Sequence, residues 1–151
     1  MIVRATNDSG SARTIVLPDP TWSQRDAVVE ALRDSGRSVI DLTSPIESKA
    51  ICAALIGADV VPPVVIVAHG DTCRFLPAVA LSLRTQHRDT TGYVVIDPDA
   101  PSSTDTWPEA PVIAVSTTEP DGMSLRGWPI RSASSGVAAA VVDAVSSLLD
   151  A

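Results

Sequence analysis

The stretch VVIVAHGDTCRFLPAVALSL, residues 64–83, decides how this chain is read. Residues 64–68 are continuously apolar, as a strand is when both of its faces are covered. His69-Gly70-Asp71-Thr72-Cys73 is a short polar turn, and behind it apolar residues return at helical spacing. A strand that leaves through a glycine turn into a helix is the repeating unit of a parallel sheet.

Units of the same kind lie on both sides of it. MIVRA reads as a short edge strand and NDSGS as a turn. Residues 14–17 read as a strand stopped by the prolines of LPDP. In residues 23–36, Ala27, Val28, Ala31 and Leu32 recur at helical spacing, with Ser23 as the expected N-cap and Gly36 as the stop. Residues 38–42 form the next strand. SPIESKAICAALIGA reads as a helix capped by Ser44, with Pro45 in its first position and Gly57 at its end. PPVVIVAH is the strand that enters the turn. Residues 73–87 are expected to be helical, with Pro77 tolerated in the first turn. GYVVIDPDAP and APVIAVSTTEPD read as strands with polar exits, separated by a loop over 102–109. WPIRSASS is a weak last strand. In the final helix Val137, Val141, Val145 and Leu148 share one stripe. This alternation predicts one α/β domain over residues 1–151, with a mostly parallel central sheet and helices on both faces.

Composition narrows the function. Hydrophobic residues make up 45% of the 151, but aromatics only 3%, so a core must be built from Val, Ile, Leu and Ala. The net charge is -7 and Lys49 is the only lysine. No basic stripe is present, which argues against a nucleic-acid partner. The acidity also argues against anionic membranes and polyanionic substrates. No apolar run approaches the roughly 20 residues that span a bilayer. The first ten residues lack the apolar core of a signal segment, so a cytoplasmic location is expected. The Arg-rich, Ala- and Val-rich composition fits a high-GC bacterium. Cys52 and Cys73 form no CxxC or Cys/His cluster, so free thiols are expected and no metal. AHGDTC does not match a phosphate loop or a dinucleotide fingerprint, and no cofactor is expected.

The order of these segments resembles the α/β-hydrolase superfamily over residues 13–150. IVLPDPTWSQRDAVVEALRDSGRSVIDL is similar to the family's opening strand, oxyanion loop, helix and next strand. VVIVAHGDTC resembles the nucleophile elbow, G-H-S-x-G-G. APVIAVSTTEPDGM resembles the strand P-v-l-x-i-x-G-x-x-D that carries the acid of the triad. WPIRSASSGVAAAVVDAVSSLL resembles the last strand, histidine loop and terminal helix. The resemblance implies a minimal, lidless α/β-hydrolase-like fold with Asp121 at the place of the acid.

The departures from the family pattern are specific. Gly70 stands at the nucleophile position. Residues 131–136 match the histidine loop and contain no histidine, since His69 and His87 lie elsewhere. Pro18-Asp19 stands at the oxyanion loop, and the following Pro20 has no N–H to donate. The amide of Asp71 matches the other oxyanion donor. Losing one such donor commonly costs about a hundredfold in rate. Ordinary Ser-His-Asp hydrolysis is therefore not expected, and the triad is degenerate.

Other residues offer chemistry, each with a plainer reading beside it. Gly70 either holds a strained turn or opens space for a ligand. Cys73, near a helix start, could act as a thiolate with His69 as its base, or pack as a small apolar residue. Asp71 could face the pocket or cap the helix. Asp97, Asp99, Glu119 and Asp121 lie at strand exits, which border the ligand crevice of an open parallel sheet; turn formation is their other reading. Asp19, Trp22 and Trp107 could line that crevice, the tryptophans as pocket walls or as caps on the core edge. Arg74 could meet an anionic ligand or remain solvated.

The expected function is non-hydrolytic binding of a small acyl or carbonyl compound. The chemistry would be acid–base catalysis of the cyclase, isomerase or lyase type, with Asp121 or Asp71 as base. The alternatives are a catalytically silent binding or scaffold protein, and a thioesterase or esterase acting through Cys73. A protein partner or a homodimer through the edge strand or terminal helix remains open.

Overall fold

Strands that are apolar on both faces need cover on both, and the computed structural model of the chain supplies it. It describes residues 2–5, 12–44, 48–57, 60–97, 110–117, 122–123, 129–133 and 136–150. The strands are β1 (Ile2–Ala5), β2 (Ala12–Val16), β3 (Val39–Ser44), β4 (Val60–His69), β5 (Thr90–Ile96), β6 (Val112–Ser116), β7 (Gly122–Met123) and β8 (Pro129–Ser132). The helices are α1 (Arg25–Asp34), α2 (Ser48–Gly57), α3 (Leu76–Thr85) and α4 (Val137–Leu149), with a 3-10 helix over Gly70–Phe75.

The sheet order is β1-β3-β2-β4-β5-β6-β8-β7. From β3 through β8 every pairing is parallel. The two outermost strands, β1 and β7, pair antiparallel. Side chains alternate between two cores, as the pleat requires. Ile15, Ile66, Ala68, Tyr93 and Val95 pack under α2 and α3 with Ile51, Leu55 and Leu83. Val16, Val65, Val67, Val94 and Ile96 pack under α1 and α4 with Val28, Leu32, Val141 and Val145. The stripe expected on the last helix, Val137, Val141, Val145 and Leu148, is buried throughout.

The chain leaves β2 for β3 on one side, then returns to place β4 on the other. From β4 it continues outward through β5 and β6, and β8 then pairs with β6 inside the short β7. The exits of β2 and β4 therefore flank a reversal in strand order, which is where open α/β sheets form their crevices.

Local chemistry sets the element ends, and here the structure revises several expectations. Ser23 does not cap α1. Gln24 occupies that position without a side-chain cap. The helix is instead introduced by a turn in which the amide of Trp22 donates to the Asp19 carbonyl and that of Arg25 to the Trp22 carbonyl. Gly36 does stop α1: its φ is +89°, and its amide and that of Arg37 bond back to Arg33 and Leu32. That is a Schellman ending, and it needs a left-handed residue. Ser44 ends β3 rather than capping α2, which begins at Ser48. The helix expected from Cys73 starts as a 3-10 turn and becomes α3 at Leu76, with Pro77 in its first turn as expected. The antiparallel β7, only two residues long, carries no strand pattern in the sequence. Pro45, the NDSGS turn and the 102–109 loop lie outside the described residues. No helix among the described residues is long and apolar enough to cross a membrane.

Candidate functional site

The carboxyl ends of β2 and β4 bring together two segments that are far apart in the chain. Val16 lies opposite Val67 in the parallel register, and the Leu17 amide extends the ladder to the Val67 carbonyl at 3.0 Å. The next residues on each strand must diverge, and both do so in tight turns.

On the β2 side, Asp19-Pro20-Thr21-Trp22 is a β-turn, closed by the Trp22 amide on the Asp19 carbonyl. Aspartate at the first position and proline at the second favour such a turn. Asp19 Oδ1 also accepts from the Thr21 amide at 2.9 Å and from the Thr21 hydroxyl at 2.6 Å. On the β4 side, the extended His69 passes into the left-handed Gly70, whose φ is +55°. The Thr72 hydroxyl donates to the His69 carbonyl at 2.7 Å and holds the turn.

These turns aim one residue from each side at the other. His69 Nδ1 lies 2.7 Å from Asp19 Oδ2. The imidazole stacks on Trp22, with ring centroids 4.9 Å apart and planes within 3°. Asp19 and Trp22 are buried, and the His69 side chain keeps 21% of its surface exposed. Burial is the largest single influence on Asp19 and pushes its pKa up. The bonds from the Thr21 hydroxyl, His69 and the Thr21 amide outweigh burial together, and the carboxyl is held below its usual value. An ionised Asp19 only accepts hydrogen bonds, so Nδ1 carries the shared proton and Nε2 is left for other partners. Nothing among the described residues bonds Nε2. The Trp22 Nε1 is buried without an acceptor among the described residues.

Around the β2 turn lies an open cleft of about 260 Å³, lined by Asp19, Pro20, Trp22, Ser23, Arg25 and Asp26. Arg25 fixes its floor. The guanidinium is buried, pairs with Asp41 Oδ1 at 2.6 Å, and donates to the carbonyls of Val16, Leu17 and Leu42. The three carbonyls belong to the exits of β2 and β3, which Arg25 ties together.

Of the residues singled out from sequence, Asp19, Trp22, His69 and Gly70 converge at the β2 and β4 exits, and Asp19 and Trp22 also line the cleft. Asp71 does not join them: it is exposed, pairs with Arg74 at 2.9 Å, and caps no helix. Arg74 also lies over the Phe75 ring. Cys73 is 2% exposed and packs in the core under α2 and α3. Asp97 stands at the β5 exit, where its carboxylate accepts from the Thr117 amide and hydroxyl at 3.0 and 2.8 Å and clasps β5 to β6. Asp99, Trp107, Glu119 and Asp121 lie outside the described residues. Cys52 and Cys73 are not joined in a disulfide, and burial pushes the Cys52 thiol up despite a hydrogen bond from Ser82. Among the described residues no group of His, Cys, Asp and Glu is arranged to hold a metal ion.

Arg25 and Thr21 carry no functional expectation in the sequence. Nothing in SQRD distinguishes a buried arginine from a solvated one. Thr21 had a signal, since Asp-Pro-Thr is a turn sequence whose aspartate bonds the residue two positions on. No protein-family model matches the chain, and no curated protein shows significant sequence similarity to it.

Proposed function

We propose that this chain is an α/β-hydrolase-like domain whose chemistry has moved from a serine nucleophile to a histidine base. It binds a small acyl or carbonyl compound at the β2 and β4 exits and moves a proton on it through His69 Nε2. The observation that carries this reading is the 2.7 Å bond between His69 and Asp19. A carboxylate on Nδ1 fixes the ring and its tautomer, and stabilises the imidazolium that forms when Nε2 takes a proton. The placement supports it as well. The resemblance needs the oxyanion loop and the nucleophile elbow side by side, and LPDP and AHGD follow adjacent strands. The side-chain base expected at Asp71 or Asp121 is thereby replaced in this reading by His69. Cys73 is too deeply packed to favour thiol catalysis.

The test is proton exchange. The protein is incubated in heavy water with a panel of acyl thioesters and β-keto esters, and exchange at the carbon next to the carbonyl is followed by NMR. Intact mass is recorded in parallel. Wild type should catalyse exchange or turnover of at least one class, His69→Gln should lose it by about a hundredfold or more, and no acyl adduct should appear. Exchange that survives His69→Gln, or an adduct mapped to Cys73, rejects the reading.

A further inference from the structure

The geometry points to a ligand that carries its own hydroxyl group, seated over Gly70 and donating to Asp19 Oδ2. This rests on the reading of the crevice as an acyl or carbonyl site and narrows the compound it takes.

An ionised carboxylate offers about four acceptor positions. Asp19 fills two on Oδ1 with Thr21 and one on Oδ2 with His69. One remains on Oδ2, on a residue only 7% exposed. Gly70 supplies the space beside it. A Cβ built on Gly70 would meet one described atom within 4 Å outside its chain neighbours, and that atom is Asp19 Oδ2 at 3.9 Å. An oxygen roughly 1 Å closer to the carboxylate than that point makes an ordinary hydrogen bond. The elbow glycine thus leaves room at an under-used buried acceptor, at the position where the resemblance places a nucleophile's side chain.

A hydroxyl fits this acceptor better than an ammonium does. It brings one donor to one remaining position. An ammonium brings three donors to that one position, so Asp19 could pair only one of them. The Asp19 charge is also already shared among His69 and the two Thr21 donors.

The test compares matched N-acetylcysteamine thioesters of butyrate, 2-hydroxybutyrate and 3-hydroxybutyrate. Dissociation constants come from 15N–1H correlation spectra of the full chain, read at the amides of residues 69–72. One hydroxylated compound should bind wild type about tenfold to a hundredfold tighter than butyryl does, as expected for a hydrogen bond to a buried charge. Gly70→Ala fills the position and should bring the preference below about threefold. Asp19→Asn keeps the shape and removes the charged acceptor, and should do the same if the alanine variant folds poorly. Equal binding of all three compounds, or a preference that survives in the folded variants, overturns the inference while leaving His69-dependent exchange intact. Binding of none overturns it too, and the exchange assay then decides separately whether the broader reading stands.

Discussion

His69 Nδ1 and Asp19 Oδ2 meet at 2.7 Å across fifty residues of sequence, joining the exits of two neighbouring parallel strands. One bond thus couples the turn after β2 to the turn after β4. The pH dependence of the fold and the proposed role of the ring both rest on it.

The first consequence is a pH dependence. The Asp19 pKa is lowered on folding. A lowered carboxyl pKa stabilises the fold above the unfolded value, near 4, and that contribution is lost as pH falls through the folded value. Wild type should therefore exceed Asp19→Asn in stability at pH 6. The gap should narrow below about pH 4. Urea melts of both proteins between pH 2.5 and 6 check this. A gap that stays constant over the range contradicts it.

Arg25 and Asp41 make a buried pair, with side chains 8% and 10% exposed. Removing one partner strands the other charge, and Arg25 also serves three carbonyls. Arg25→Met should cost about 3–5 kcal/mol. Asp41→Asn should cost less, because the carbonyl bonds survive. The double variant should fall well short of additivity in chemical melts.

Gly92 lies in β5 under α4. A Cβ there would stand 2.7 Å from Leu148 Cδ2 and 3.1 Å from its Cγ. Gly92→Ala overpacks that contact and should destabilise by about 1–3 kcal/mol. Adding Leu148→Ala should recover part of the loss. A Gly92→Ala protein that melts like wild type would show that α4 shifts away freely.

His87 occupies the left-handed position after α3, with φ +61°. Its amide and that of Arg88 bond back to Arg84 and Leu83, so the ending is the same as at Gly36. Glycine holds this conformation without strain from a Cβ. His87→Gly should stabilise by about 0.5–1 kcal/mol, read from a rise in the urea midpoint.

The sheet and both cores were legible because the strands are aliphatic runs broken by turn residues. Val64–Ala68 needs cover on both faces, and the helices alternating with the strands supply it. Glycine stops were legible for the same local reason, as at Gly36. Caps were not: Ser23 has the right chemistry, but the turn at Asp19 puts the cap position one residue beyond it, at Gln24, with no side-chain cap. In the site, Asp19, Trp22, His69 and Gly70 each stood out from sequence, but their meeting did not. It depends on β4 returning to the side of β2 that β3 leaves open, a long-range choice that no local window records. Asp71 has the residue type for a helix cap, but the chain enters α3 through a 3-10 turn, and the carboxylate pairs with Arg74 in solvent.

The most direct measurement is the ring tautomer of His69, read from long-range 15N–1H correlations in uniformly labelled protein at a pH where the ring is neutral. Asp19 as a fixed acceptor predicts a proton on Nδ1 and a bare Nε2, with the pattern changed in Asp19→Ala. A proton on Nε2, or rapid averaging over both nitrogens in wild type, would mean that Asp19 does not orient the ring, and the histidine base would have to be abandoned.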